Sequence, residues 1–347
     1  MNAGTVFPRK DWKRRAPESF GINSSDLREI ENTLKGRGII VKNGYVIYSW
    51  GDVTETDHMH SSTKTVFSTL LFFAVQEGFI KSIDQKVINW GWNLKGKDKD
   101  INFRHLANMT SGYMRPEGPG EAWAYNDYAI NLYKWTLERV FDDNIHNISS
   151  KYIWGPLGCQ DFGDEEFPTW VVSLRDWSRM ALLWLSKGNW NGKQLLSEEY
   201  FNKYIGHPDV PKDLPYSQGD QQKDYLEVGT WGGETNQLED FGPGAYGFNF
   251  WCNTPNILGS LHETAPGREC EHLIPGLPDN IFLSSGLGGR ITVLIPDMNA
   301  IMVTHKTNWP WKFNPANPEY INNRVIKQLY KSLGGEVKKG GEYEKKN

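Results

Sequence analysis

Cysteine is scarce: Cys159, Cys252 and Cys270 are the only three in 347 residues. They form an odd set with no Cys-x-x-Cys spacing, which argues against a disulfide framework and a zinc ribbon. We read them as small buried hydrophobic residues, with a Cys252–Cys270 bridge left open for an exported protein. Long apolar runs are missing too. The longest mostly apolar stretch, residues 66–75, contains Ser68 and Thr69 and is too short to span a bilayer. The first twenty residues carry basic groups but no apolar signal core. The chain therefore reads as cytoplasmic as it stands, or as periplasmic or secreted if a signal has been removed. Neither sign of charge dominates: 38 Lys+Arg face 42 Asp+Glu, a net charge of −4. Without a basic excess nucleic acid is not an expected partner, and no acidic block reads as a solvating tail. Eight histidines are present without a His-Glu-x-x-His spacing, so we read them as structural or surface groups and expect neither metal nor organic cofactor.

Aromatic residues make up 13% and charged residues 23%, a balance that supports a large packed core. Ser24 or Ser25 is placed to cap a helix that closes at Gly36. Two β-rich runs, 38–42 and 45–51, flank Asn43-Gly44, the strongest short hairpin signal. A second helix begins near Ser61 and stops at Gly78; it is apolar on nearly all sides and must lie inside the protein. Helical runs alternate with loops from about 85 to 240, and residues 207–244 read as long loops. Strand character returns at 245–254, 280–285, 290–295 and 300–306, the last two joined by the turn sequence Pro296-Asp297-Met298-Asn299. Residues 318–333 form a closing amphipathic helix. The expected fold class is α+β. One antiparallel sheet joins the early hairpin to the late strands, terminal helices cover it, and a mostly helical lobe sits beside it. The sheet lobe takes about residues 15–60 and 245–333, the helical lobe about 61–244, and 334–347 a frayed tail.

Ser61-Ser62-Thr63-Lys64 stands where the buried helix starts. A serine hydroxyl is a poor nucleophile until a base takes its proton, and a lysine three residues on lies one turn away on the same face. The helix N-terminus favours a developing oxyanion at Ser61 and disfavours an ammonium at Lys64. Ser and Thr are also ordinary N-caps, so the spacing alone decides little. Its position carries the weight, because so apolar a helix has little structural use for a lysine. A second segment, Pro119-Gly120-Glu121-Ala122-Trp123-Ala124-Tyr125-Asn126-Asp127, offers a phenol before a helix. Tyr125 beside Lys64 would relay a proton, and Asp127 reads otherwise as a helix cap. In a third segment, 282–290, glycines within a strand pattern mark a bulge, a turn or a close approach to a ligand.

In this order the segments resemble the serine β-lactamase and penicillin-recognising hydrolase superfamily, above all class C β-lactamase-related esterases, D-aminopeptidases and nylon-oligomer hydrolases. The likeness covers about residues 15–333. It includes APESFGINSSDL, IIVKNGYVIYSWG, SSTKTVFSTLLFFAVQEG, HLANMTSGY, PGEAWAYND, YGFNFW and FLSSGLGGRITVLIPDMNAIMV. The resemblance implies a β-lactamase/transpeptidase-like fold. It implies Ser61 as the acylated nucleophile and Lys64 with Tyr125 as the base and relay pair, without deciding which takes the serine proton. It implies an oxyanion hole made by the N–H groups of Ser61 and Leu287.

Two departures bear on substrate. Ser284-Ser285-Gly286 stands where the family has Lys-Thr-Gly or His-x-Gly, so the fixed cation for a β-lactam carboxylate is missing, and Arg290 replaces it only in part. Asp127 stands where the family has asparagine and adds a negative charge. Both point to a small-molecule ester or amide without that carboxylate, or with a cationic group. The alternatives are a D-amino-acid peptidase or weak β-lactamase and, from another class, a non-catalytic ligand-binding domain of the same fold.

Overall fold

The computed structural model describes residues 4–163, 170–230, 232–236, 242–255, 257–258, 269–270, 272–310 and 320–338. Asn43 and Gly44 both adopt left-handed backbone, φ 51° and 80°, as a two-residue hairpin turn requires. They join β1 (Arg37–Lys42) to β2 (Tyr45–Trp50). Five later strands complete the sheet: β3 (Tyr246–Gly247), β4 (Phe250–Cys252), β5 (Phe282–Gly286), β6 (Arg290–Ile295) and β7 (Ala300–His305). Their order is β2-β1-β7-β6-β5-β4-β3, antiparallel throughout. The early hairpin thus pairs with the late strands through β1 and β7, with Ile39 opposite Val303. Every residue of β6 and β7 is buried, so both sheet faces are covered.

Five longer helices surround the sheet: α1 (Ser24–Leu34), α2 (Lys64–Gln76), α3 (Asp127–Phe141), α4 (Leu174–Leu185) and α5 (Ile321–Ser332). The two terminal helices, α1 and α5, pack on each other. In α2 every residue from Lys64 to Ala74 is buried, the polar Lys64, Thr65, Ser68 and Thr69 along with the apolar majority. The helix lies between the sheet and the helical side of the molecule. α4 falls in the stretch expected to be lobe, yet it packs on β7, β6 and β1. Two tryptophans explain its place. Trp177 donates its indole N–H to Thr292 on β6 (2.9 Å), and Trp184, seven residues on, donates to Thr69 on α2 (3.0 Å).

Four expectations change. The run 245–254 is not one strand but a tight hairpin, with Phe248 and Asn249 both at positive φ. Contacts from the helical side impose that turn: Phe248 N–H donates to the Asn108 side chain and Asn249 N–H to the Ala107 carbonyl. Asn23, not Ser24 or Ser25, caps α1. The first part of the expected tail is held down, since Lys338 N–H donates to Gly276 O (3.0 Å); residues 339–347 lie outside the described residues. Cys252 is a buried free thiol, so the Cys252–Cys270 bridge is not formed; the Cys270 side chain is outside the described set. Between Lys203 and Gly242 the described residues hold no helix or strand beyond a bridge at Tyr216, as expected of long loops.

The Trp177–Thr292 bond gives a stability test. Trp177→Phe strands a buried hydroxyl and should lower the unfolding free energy by about 1–3 kcal/mol. Adding Thr292→Val should recover part of the loss. Urea unfolding of the two single variants and the double variant measures both effects; strictly additive losses would show that the bond contributes nothing.

Candidate active site

Ser61 lies in a 3₁₀ turn, His60–Thr63, that runs directly into α2. The N–H of Lys64 donates to the Ser61 carbonyl, so the two residues sit one turn apart. The neighbouring serines have different fates. Ser62 is fully buried and spends its hydroxyl on the Arg290 carbonyl, 2.8 Å away. Ser61 is half-buried. Lys64 and Tyr125 are both buried, and Lys64 Nζ donates to the phenol oxygen. Nζ also lies 4.5 Å from the centre of the Tyr125 ring. The structure therefore brings together a lysine and a tyrosine 61 residues apart in sequence.

The loop that delivers Tyr125 is fastened at every step. Ala124 N–H donates to Met109 O (2.9 Å) and Trp123 N–H to Pro215 O (2.8 Å), while Trp123 O accepts from Ser217 N–H (2.9 Å). Asn126, not Asp127, caps α3: its Oδ1 accepts from Ala129 N–H and its amide nitrogen donates to Tyr113 O. Asp127 is the first helical residue, buried, with its N–H on Glu234 O (2.9 Å). A side chain at Gly232 would collide with the Asp127 carboxylate, so that loop passes against the carboxylate itself.

β5 closes the site from the sheet side. Ser284 is fully buried; its hydroxyl lies 3.3 Å from that of Thr65 and 3.4 Å from the Ser62 carbonyl. Ser285 is half-buried. Gly286 is the point of contact: a Cβ there would stand 2.5 Å from Met59 O and 3.1 Å from Ser62 N. Leu287, which follows, is 61% exposed. Arg290 does not point free into a cleft. Its guanidinium donates to the carbonyls of His58, Leu287 (2.8 Å) and Gly288 (3.4 Å) and meets Asp57 at 3.5 Å.

Behind the turn that carries Ser61 stands a charge cluster that sequence reasoning missed. Asp57 accepts from Lys306 and lies 3.7 Å from Arg37. Arg37 also reaches His305 Nδ1 (3.1 Å), whose Nε2–H donates to the His58 carbonyl (3.2 Å). The rings of His58 and His60 stack 6.1 Å apart. One signal was available: His58-Met59-His60 is a close histidine pair directly before Ser61. Arg37 comes from β1, shortly before this segment, and Arg290, His305 and Lys306 come from more than 200 residues further along the chain. Among the described residues no group of three or more His, Cys, Asp or Glu is arranged to hold a metal ion. His60 itself adopts φ 46°, an uncommon backbone state for a residue with a side chain.

The fold and this site define a β-lactamase-fold protein. Residues 39–163, which include Ser61, Lys64, Tyr125 and Asp127, match the family model described as Beta-lactamase. Solved structures agree over nearly the whole chain. A protein assigned as a 6-aminohexanoate-dimer hydrolase from Bacillus anthracis is 15% identical, with 96% of this chain and 88% of that one covered and a TM-score of 0.61. A penicillin-binding protein homolog from Caulobacter crescentus is 15% identical (93% and 100% covered, TM-score 0.60). A β-lactamase/D-alanine carboxypeptidase from Yersinia pestis is also 15% identical (90% and 98% covered, TM-score 0.58). No curated protein matches the chain in sequence. The chain thus has the fold of the β-lactamases and penicillin-binding proteins, as its motifs led us to expect.

The charge cluster sets an acid limit. Burial, with Arg290 and Arg37 nearby, pushes His305 down to about 4, and burial with Arg290 does the same for His60. Burial works against ionisation of Asp57, yet the Lys306 and His58 N–H bonds and the neighbouring cations hold it at about 2. The unfolded chain binds protons on these histidines from about pH 6.5 downward, whereas the folded protein resists until about pH 4. Their stabilising share is therefore present above pH 6.5 and lost as pH falls through 4; that of Asp57 is lost lower, between about 3.8 and 2. Melting temperature should fall between pH 6.5 and 4, and His305→Gln should make that slope shallower. Equal slopes in the two proteins, by calorimetry or fluorescence, would contradict the assignment.

Proposed function

We propose that this protein is a serine hydrolase that cleaves ester or amide bonds through an acyl-enzyme on Ser61. The hydrogen bond between buried Lys64 and buried Tyr125, one helical turn from half-buried Ser61, is the observation that carries the reading. Ser61 Oγ attacks the substrate carbonyl, and its proton passes to the Lys64–Tyr125 pair. The C–O or C–N bond breaks, and the pair returns the proton to the leaving alcohol or amine. Water then attacks the acyl-enzyme, gives a proton to the same pair and releases the acid, with Ser61 regaining its hydrogen. The N–H groups of Ser61 and Leu287 serve as donors for the tetrahedral oxyanion.

The charges favour substrates without a carboxylate beside the scissile bond. Ser284 brings no cation, and its hydroxyl is engaged with Thr65 and Ser62. Arg290 is committed to three carbonyls and Asp57. Asp127 adds a buried carboxyl group next to the Tyr125 loop. Neutral esters, linear amides or substrates with an amino group fit this balance better than a penicillin. The likeness to a 6-aminohexanoate-dimer hydrolase points the same way.

A fluorophosphonate probe should add once to the native protein and not to Ser61→Ala, read by intact mass. Lys64→Met and Tyr125→Phe should each lower kcat for p-nitrophenyl esters by about 10²–10⁴-fold. Hydrolysis of short p-nitrophenyl esters should far outpace that of nitrocefin. An equal adduct on Ser61→Ala would remove the nucleophile assignment, and rapid nitrocefin turnover would overturn the charge argument.

A further inference from the structure

We propose that Arg290 is a positioning residue: it ties the two backbone donors of the oxyanion hole to each other, and it does so from outside the substrate site. The inference rests on the serine-hydrolase reading above, since it assigns Ser61 N–H and Leu287 N–H the donor roles. Those two groups belong to separate parts of the fold, the turn before α2 and the turn between β5 and β6. In the β5–β6 turn Gly289 is buried and its carbonyl is held by Thr304 and Thr307, but Leu287 and Gly288 are exposed and Gly288, at positive φ, has no side chain to fix the backbone.

Arg290 spans the gap. Nη1 grips the carbonyls of Leu287 (2.8 Å) and Gly288 (3.4 Å), and Nε donates to the carbonyl of His58, three residues before Ser61. Nη2 meets Asp57, which also accepts from His58 N–H (2.7 Å). The main chain of the same arginine works in parallel, since Arg290 O accepts from Ser62 Oγ at 2.8 Å. His305 helps from β7 by donating to the same His58 carbonyl. A planar guanidinium fits this task because its donors point in fixed, divergent directions; an ammonium is a single point of charge on a flexible stem. With these donors turned to backbone carbonyls and Asp57, the side chain holds geometry and does not receive a substrate anion.

Loss of one oxyanion donor typically costs about 10²–10³-fold in kcat. Arg290→Met should therefore lower kcat for a p-nitrophenyl ester by about 10²-fold while KM stays within about threefold, and Arg290→Lys should fall between the two. Hydrogen–deuterium exchange should quicken in peptides covering 59–62 and 286–289 of Arg290→Met and stay as in the native protein over α5. Unchanged kcat, or a loss confined to KM, overturns the proposal, as does unchanged exchange in both turns. If Arg290→Met does not fold, Arg290→Lys decides on the same kcat and exchange criteria. The exchange result stands even if native protein takes no fluorophosphonate, so a failure of the hydrolase reading is distinguishable from a failure of the brace.

Discussion

The approach of Gly286 to the turn at Met59–Ser62 is the contact on which the site depends. A strand from the C-terminal part of the chain meets the start of a helix from the N-terminal part, with no room for even one methyl group between them. Hydrogen bonds then follow across the seam. Ser62 turns inward to Arg290 O, and Ser284 turns to Ser62 O and Thr65. The seam engages the hydroxyls of Ser62 and Ser284, and the half-buried serines beside it are Ser61 and Ser285. Close packing thus separates serines that hold the seam from serines at its edge.

What could be read from the sequence was what is local. Asn43-Gly44 specifies its own turn, and the predominance of apolar residues on nearly all sides of 66–75 specifies a buried helix with no further information. The Ser-x-x-Lys spacing is likewise local. The hairpin at Phe248-Asn249 was not legible, because an asparagine 140 residues earlier holds the turn. Asn126 and Asp127 are both good cap residues, and only the Tyr113 carbonyl decides between them. The cluster of Arg37, Asp57, His58, Arg290 and His305 draws on β1, β6 and β7, so no sequence window contains it. Its nearest visible trace was the His58–His60 pair.

That cluster leaves a small excess of positive charge behind the turn. Arg37, Arg290 and Lys306 converge on Asp57, Glu55 adds a second carboxylate against Arg37 and Lys306, and the two affected histidines stay neutral at pH 7. Two carboxylates thus offset two of the three cations, and the Arg290 guanidinium is further engaged by the carbonyls of His58, Leu287 and Gly288. On the hydrolase reading proposed above, proton transfer at Ser61 would fall to Lys64 and Tyr125, apart from this cluster.

The Tyr125 loop adds a further separation. Its backbone is bonded to 109 on one side and to 215 and 217 on the other, and Arg115 ties the same region to Ser217 and Thr235. Tyr113 donates to Asp224, and Glu117 receives Ser217 and Gln218. Among the described residues between Lys203 and Gly242 there is almost no regular structure, yet these loops brace the segment that carries Tyr125. Many small bonds, from Pro215, Ser217, Asp224 and Thr235, hold that segment in place. Substitutions at the bonded positions, such as Arg115 or Asp224, therefore act on the placement of Tyr125 beside Lys64, whereas changes at exposed loop positions leave it in place.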